Sequence, residues 1–330
     1  MLRGGRLSGV VISRRPWHHE RAVSAVEKGA GNIRASRGTL TARVVITGLA
    51  ALLVLASSVA GAAPQRTVIA YGSERGGPVR VHVLGAAPGT RRVLQSRSLG
   101  MDVEPSWSPD GRHLAIATSD ASGQDFDIAI VAANGSGRKR ITEGASWDEE
   151  PAWSPDGKWI AFGSDRDGDF EIYAVHPDGT GLRQLTSNHC EDTEPSWSPD
   201  SSQIAFTSRR GGFPHVWTMN ADGTGERKLL KNLASSPAWS PDGKTIAYVS
   251  DTDGDSDIFT VGADGLGVTR LTENDGITDQ GPTWSPDGSM LAFSSNRDGD
   301  SDIFQMRADG SAVHFLTSGV WSDDSPAWRP

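Results

Sequence analysis

Acidic side chains recur along the chain at an equivalent position, three residues before a repeated proline. They are Asp102, Asp148, Asp192, Asp279 and Asp323, with Ala234 at the sixth equivalent position. Directly before the proline, three of the copies carry Glu104, Glu150 and Glu194. Like charges that converge on one opening focus the electrostatic field, so the pattern predicts a binding site for a basic peptide or a cation. The alternative is structural, because an Asp in a connection also accepts hydrogen bonds from backbone N–H groups.

A second acidic motif, Asp-x-Asp-Gly-Asp, lies in predicted hairpins. Its carboxylates are Asp165, Asp167 and Asp169 in one copy, Asp251, Asp253 and Asp255 in another, and Asp298 and Asp300 after Asn296 in a near match. Alternating carboxylates suit Ca²⁺, which takes six to eight oxygen ligands. Asp-Gly is also a common hairpin turn, so a purely structural role stays open.

Other chemistry has little support in the sequence. His189 and Cys190 are adjacent, but they have no spaced partners of the kind that a zinc site uses. A Gly-x-Ser-x-Gly nucleophile motif, a His-Glu-x-x-His motif and a phosphate-binding loop are all absent from the sequence. Cys190 is the single cysteine, so an intramolecular disulfide is excluded.

The acids are positioned by a repeated element. The motif Pro-x-Trp-Ser-Pro-Asp-Gly or a close variant surrounds six tryptophans at steps of 46, 44, 42, 45 and 44 residues: Trp107, Trp153, Trp197, Trp239, Trp284 and Trp328. A fixed period in this range indicates one supersecondary unit copied along the chain. A large amphipathic ring at such a position is best explained by packing between neighbouring units.

Each unit predicts four short antiparallel strands separated by turns. In the copy that starts at Pro151, Ser-Pro-Asp-Gly is a type I turn signal, and Asp-Gly turns separate the later strands. Four strands in this length make a propeller blade. Residues 67–94 match three strands without a tryptophan motif, whereas Trp328 belongs to a first strand with nothing after it. The sequence therefore predicts an all-β, six-bladed propeller over residues 66–330, closed by the C-terminal strand.

Residues 1–63 have the character of a leader. Residues 1–43 carry a net charge of +7, and residues 44–56 are apolar and precede a small-residue segment that ends at Ala63. This order is typical of a secretory signal peptide, and an uncleaved membrane anchor over residues 44–63 is the alternative. Because the whole chain has a net charge of −9, the remainder carries −16. Such a charge disfavours nucleic acid and anionic membrane as partners.

The repeat as a whole resembles the TolB-type propeller repeat. The residues that carry the resemblance are Trp-Ser-Pro-Asp-Gly-x-x-Ile-Ala-Phe, then Ser-x-Arg-x-Gly, Asp/Glu-Ile-Tyr, Asp-Gly-x-Gly and Leu-Thr. The resemblance implies a propeller exported to the periplasm or beyond that acts as a protein-binding module. TolB itself has an additional α/β domain before its propeller, where this chain has the leader.

These observations favour an exported, non-enzymatic and monomeric propeller that binds a protein or peptide with a basic segment at its acidic channel mouth. One alternative is a lyase-like carbohydrate-active enzyme that uses channel carboxylates and a divalent metal. A purely structural envelope module is the other. No cofactor is required by the sequence, although Ca²⁺ fits the Asp-rich hairpins.

Overall fold

The computed structural model describes residues 68–85, 90–94, 100–123 and 125–330. The predicted leader, including the alternative anchor over residues 44–63, lies outside the described residues. Within the described part of the chain, all regular elements are β-strands, and they form six four-stranded antiparallel sheets. The predicted all-β, six-bladed propeller is therefore confirmed. No helix in the described residues is long and apolar enough to cross a membrane.

Strand bounds follow the repeat. The first blade contains β1 (Ile69–Ser73), β2 (Arg80–Leu84), β3 (Arg91–Val93) and the last strand, β24 (Asp323–Trp328). The second blade contains β4 (Asp102–Trp107), β5 (His113–Ser119), β6 (Phe126–Ala132) and β7 (Lys139–Arg140). The third contains β8 (Asp148–Trp153), β9 (Ile160–Ser164), β10 (Glu171–Val175) and β11 (Arg183–Gln184).

The remaining three blades keep the same order. The fourth contains β12 (Asp192–Trp197), β13 (Gln203–Ser208), β14 (His215–Asn220) and β15 (Arg227–Lys228). The fifth contains β16 (Ser235–Trp239), β17 (Thr245–Ser250), β18 (Asp257–Gly262) and β19 (Thr269–Arg270). The sixth contains β20 (Asp279–Trp284), β21 (Met290–Ser295), β22 (Asp302–Arg307) and β23 (His314–Phe315).

The turn after each innermost strand is built by the Ser-Pro-Asp-Gly motif. In the third blade Ser154 Oγ donates to Asp156 Oδ1 at 2.7 Å and accepts from the backbone N–H of Trp159 at 2.9 Å. Gly157 closes the turn at φ 75°, a conformation that favours glycine. This local hydrogen bonding fixes the direction in which the second strand returns.

The core lies between the blades. Because side chains alternate across a strand, Ile160 and Phe162 pack against the second blade, and Ala161 between them packs against the fourth. Six buried clusters of this kind fill the six spaces between neighbouring blades. The repeated large-small-large pattern is thus one blade's contribution to two separate cores.

Ring closure occurs where the sequence predicts it. Strand β24 pairs antiparallel with β1, with Trp328 opposite Ile69 and Ala327 opposite Ala70. The innermost strands contact one another in turn around the ring, and β24 contacts β4. The pairing covers the edge of β1, which would otherwise be open to a strand of another chain.

Candidate functional site

The innermost strands surround the central channel and share an unusual backbone feature. Directly before each repeat proline the backbone is left-handed, with φ 53° at Glu104, 56° at Glu150 and 55° at Glu194. Such angles are uncommon for residues other than glycine. The pairing register of each strand shifts at this point, as in a β-bulge. The bulge re-aims a side chain, which is a common use of this feature beside functional sites.

The bulge glutamates link neighbouring blades. The backbone N–H of Glu150 donates to Glu104 Oε2 at 2.7 Å, and that of Glu194 donates to Glu150 Oε2 at 2.5 Å. Glu194 in turn accepts from the backbone N–H and the hydroxyl of Ser236 at 2.6 and 2.7 Å. The structure therefore brings the three predicted glutamates together as a chain of carboxylates along one side of the channel.

Glu149 adds a carboxylate that the sequence prediction missed. It precedes Glu150 on β8 and interacts electrostatically with Glu104 and Glu194. Burial, with the charge of Glu104 next in size, raises the pKa of Glu149 to about 8. Burial also raises the pKa of Glu104 to about 7, with contributions from Asp324 of the closing strand and from Glu194. The sequence signal that could have identified Glu149 is its position directly before the predicted Glu150.

Burial likewise raises the pKa of Glu150, and the charges of Glu194, Glu149 and Glu104 add to the effect. Among the described residues, no Lys or Arg forms an ion pair with any of these four glutamates. The channel acids, Glu104, Glu149, Glu150 and Glu194, thus form a cluster of carboxyl groups that no described Lys or Arg neutralises, and the raised pKa values of the first three favour their protonated forms.

The five predicted aspartates have a different place. They begin the innermost strands, and all are fully buried: Asp102, Asp148, Asp192, Asp279 and Asp323. Each pairs with an arginine at a nitrogen–oxygen distance between 2.5 and 2.9 Å: Arg138, Arg166, Arg210, Arg297 and Arg75, in the same order. The expectation that these aspartates present their charge at the channel mouth is therefore corrected, because buried ion pairs use that charge inside each blade.

The third blade shows the arrangement in detail. Arg166 Nη2 donates to both oxygens of Asp148 at 2.9 and 3.0 Å, and Ser164 donates to Asp148 Oδ1 at 2.6 Å. The guanidinium lies over the ring of Tyr173 at 4.7 Å, a favourable cation–π position. Asp148 therefore fixes the start of the innermost strand to the following hairpin.

A sequence signal for this pairing exists. The arginine follows a serine in Ser73-Glu74-Arg75, Ser164-Asp165-Arg166, Ser208-Arg209-Arg210 and Ser295-Asn296-Arg297. In the blade where Ala234 replaces the aspartate, the equivalent residue is Thr252. Asp102 departs from the rule, since its partner Arg138 comes from the segment before β7. The co-occurrence of Asp and Arg within the repeats supports a structural role for the pair.

The Asp-rich hairpins also differ from one another. In the third blade Asp165 accepts the backbone N–H of Trp147 at 2.7 Å, and Asp167 accepts from Gln184 at 2.5 Å. Among the described residues, metal-capable groups converge in two other hairpins: Asp253, Asp255 and Asp257, and Asp298, Asp300 and Asp302. Neither set includes Asp251, and the set of Asp165, Asp167 and Asp169 is not brought together. The third member in each case is the first residue of a strand, which the predicted motif did not contain.

Asp302 forms no ion pair with a described Lys or Arg. It is fully buried, and burial together with Asp298, Asp323 and Asp300 raises its pKa to about 6, although Thr317 donates to Asp302 Oδ1 at 2.9 Å. In the fifth blade Arg270 forms ion pairs with Asp253 and Asp257. The two clusters thus have acids at equivalent positions, but only the cluster of the fifth blade has a neutralising arginine.

The six-bladed architecture and its repeated motif define a β-propeller module, and comparison with known proteins specifies its family. A model of the TolB beta propeller domain matches residues 53–183, 167–232 and 224–330. The chain therefore belongs to the TolB β-propeller domain family.

Solved structures agree on the fold. TolB from Acinetobacter baumannii is 24% identical at a TM-score of 0.70, over 80% of this chain and 67% of that one. A putative TolB from Agrobacterium tumefaciens is 22% identical at 0.63, over 80% and 99%. A chain of the nidogen/laminin complex is 12% identical at 0.64, over 80% and 98%. At these identities the likeness shows the fold alone.

Proposed function

We propose that this protein is an exported, non-enzymatic binding scaffold whose channel acids receive a basic segment of a protein or peptide. The observation that carries the proposal is the chain of carboxylates along the channel, which no described Lys or Arg neutralises. A ligand cation that enters the channel would meet carboxylates already aimed by strained backbone, so little reorganisation is required on binding.

Family membership supports a binding role. In this proposal the protein binds a partner as TolB-type propellers do. The leader over residues 1–63 supports export to the periplasm or the exterior, and anchoring by residues 44–63 is the alternative. The net charge of −16 beyond residue 43 favours a basic partner and disfavours nucleic acid. The protein acts as a monomer in this proposal, because closure of the ring leaves no innermost strand unpaired among those described.

The five buried aspartates support the site indirectly. Each holds the start of an innermost strand through its arginine, and a bulge lies two residues later, which carries a channel glutamate in three of the blades. Asp102, Asp148 and Asp192 thus position Glu104, Glu150 and Glu194. In this proposal the glutamates contact the partner and the aspartates maintain the geometry.

Calorimetric titration with a short peptide in which lysine alternates with glycine tests the proposal. The protein should bind this peptide more tightly than the matching glutamate–glycine peptide, and added salt should weaken binding. The E104Q/E149Q/E150Q variant should lose roughly tenfold or more in affinity, about 1.4 kcal/mol. Glutamine keeps an oxygen that accepts the backbone hydrogen bonds, so the ring stays intact.

A matched control removes three exposed acids instead. Asp110, Asp178 and Asp222 lie in surface turns, and D110N/D178N/D222N changes the net charge by the same amount. Equal loss of affinity in both variants would show a general charge effect and would contradict a channel site.

One observation favours the carbohydrate-active alternative: the pKa of Glu104 near 7 would suit a general acid. Incubation with acidic oligosaccharides, followed by detection of unsaturated products, tests it. Product formed by the parent protein and absent with E104Q would replace the binding proposal by the enzymatic one.

A further inference from the structure

We propose that Asp298, Asp300 and Asp302, at the hairpin between β21 and β22, form a binding site for one divalent cation, with Ca²⁺ preferred. This cation site is separate from the channel acids and does not depend on the proposed partner. It replaces the predicted triplet that began at Asn296 with one that ends on the first residue of β22.

The carboxylates converge without compensation. One oxygen from each of the three aspartates lies within 4.8 Å of the others. Oδ2 of Asp302 and Oδ2 of Asp300 are buried and have no hydrogen-bond partner, and Asp302 as a whole is fully buried. A buried carboxylate oxygen without a partner is costly, so this position calls for a positive group. Arg75 acts electrostatically on Asp302 but pairs with Asp323, and no described Lys or Arg forms an ion pair with the three acids.

The fifth blade shows what usually fills that position. Its acids Asp253 and Asp257 are bridged by Arg270 of the outermost strand, which donates to Asp253 at 2.7 Å and also pairs with Asp257. Arg270 lies opposite Phe259 in the strand pairing. In the sixth blade the residue in that register, opposite Phe304, is Phe315. A side chain without charge thus stands where the neighbouring blade has its cation.

The chemistry of the donors favours Ca²⁺. The three groups offer hard oxygen ligands and a charge of −3, and no nitrogen or sulfur ligand is among them. The hairpin backbone turns tightly at Gly299, at φ 116°, so loop carbonyls and water can complete the six to eight ligands that Ca²⁺ requires. Affinity in the range of extracellular modules, a Kd of about 10⁻⁴ to 10⁻³ M, is expected.

A bound cation would also act on ring closure. Ser301 lies between two of the acids, and its carbonyl accepts the backbone N–H of Asp323, the first residue of the closing strand, at 2.6 Å. Holding the hairpin in place would therefore stabilise the junction of β22 with β24. Ligands that bind only the folded state raise its unfolding temperature, and the effect grows with the ratio of free ligand concentration to Kd.

Calorimetry of the chelator-treated protein with CaCl₂ alone tests the site, with thermal unfolding as the second measurement. The parent protein should bind one Ca²⁺ and melt at a higher temperature with it. F315R keeps all three acids but supplies the missing guanidinium on an exposed side chain, and it should lose binding at least tenfold. R270F should bind two ions, since it frees the cluster of the fifth blade.

Absence of calcium binding by the parent protein at millimolar concentration would overturn the proposal, as would unchanged affinity in F315R. A stoichiometry of one in a folded R270F protein would overturn the assignment of Arg270 as the competing cation. E104Q/E149Q/E150Q should bind one Ca²⁺ like the parent protein. If that variant alone lost binding, the ion would belong to the channel acids instead.

Discussion

Acidic side chains in this protein differ in role according to the groups beside them. Asp148 is fully buried against Arg166, whereas Glu150 lies in the channel and has no described cation in contact. Only Glu149 lies between them on the same strand. Burial with a partner makes the first a structural charge, whereas burial without one raises the pKa of the second and leaves a carboxyl group that a bound cation would help to ionise.

Removal of one partner from a buried ion pair should destabilise the fold strongly. Asp148→Ala leaves Arg166 half-buried and uncompensated, so the free energy of unfolding should fall by about 3 kcal/mol or more. Denaturant unfolding followed by tryptophan fluorescence measures the change. The control, Asp178→Ala, removes only the exposed hydrogen bonds with Thr180 and should lose much less stability. Equal stability of both variants would show that the buried pair contributes nothing beyond an exposed turn.

The channel acids should make stability depend on pH. Folding raises the pKa of Glu104 to about 7 and of Glu149 to about 8, so folding favours their protonated forms. This contribution to stability is complete below the ordinary glutamate pKa near 4.5 and is lost as pH rises through 7 to 8. The melting temperature of the parent protein relative to E104Q/E149Q/E150Q should therefore fall between pH 5 and pH 8.

The difference between the two proteins is the quantity to measure, since other titrating groups affect both alike. Scanning calorimetry at several pH values provides it. A constant difference across this range would mean that the glutamates ionise at their ordinary pKa. That result would contradict the claim that the channel raises the pKa values of these glutamates.

At this scale the sequence predicted the residues better than their roles. The five aspartates and three glutamates were recognisable from their register before the proline. Their separation into buried pairs and channel groups depends on partners in another hairpin, such as Arg166, which the register alone does not reveal. Asp302 escaped prediction because the predicted motif ended at Asp300, whereas Asp302 is the first residue of β22.

The residue before the repeat tryptophan on the innermost strand alternates between a hydroxyl residue and alanine from one blade to the next. The residue before the tryptophan is Ser106, Ala152, Ser196, Ala238, Thr283 and Ala327 in turn. Trp107, Trp197 and Trp284 donate through Nε1 to an alanine carbonyl of the preceding blade at 3.1 Å. Trp153 and Trp239 instead donate their backbone N–H to a serine hydroxyl at 3.0 and 3.1 Å. Neighbouring blades are therefore joined in two alternating ways.

The alternation predicts unequal effects of one substitution. Trp107→Phe removes a hydrogen bond and leaves the carbonyl of Ala327 without that donor, so it should cost about 1 kcal/mol more than Trp153→Phe. The Nε1 atom of Trp153 is buried without a partner, so its loss carries no such penalty. Urea unfolding of the two variants gives the comparison, and equal costs would show that the indole hydrogen bond is energetically neutral.

The repeat period predicts the number and order of the strands, but it does not locate the first residue of the innermost strand. Five of the six innermost strands begin at the aspartate, as in Asp148–Trp153, and the sixth begins at Ser235. The bulge at Glu150 interrupts the alternation that identifies a strand, and a left-handed glutamate has no clear sequence signature. The boundary therefore depends on backbone strain that the pattern of residue types conceals.

For the whole molecule, closure by β24 is the feature on which the ring depends. The predicted closure of the first blade by the C-terminal strand was confirmed. It was predictable because the repeat array has three strands of a blade at one end and one strand at the other, and only their pairing completes every blade. Removal of residues 323–330 should expose the edge of β1 and uncover Tyr71, which is fully buried in the intact ring. The shortened chain should associate, as light scattering after gel filtration would show; a stable monomer with unchanged melting temperature would contradict this role.

The channel at the centre of the ring is where the proposed function is decided. Carbodiimide coupling joins a lysine amine to a carboxylate that it already contacts, so it reports directly which acids meet a bound lysine–glycine peptide. Mass spectrometry of the coupled protein should locate the peptide on Glu104, Glu149, Glu150 or Glu194, with little product when salt is high. Coupling confined to exposed turn acids such as Asp178 and Asp222 would contradict binding in the channel.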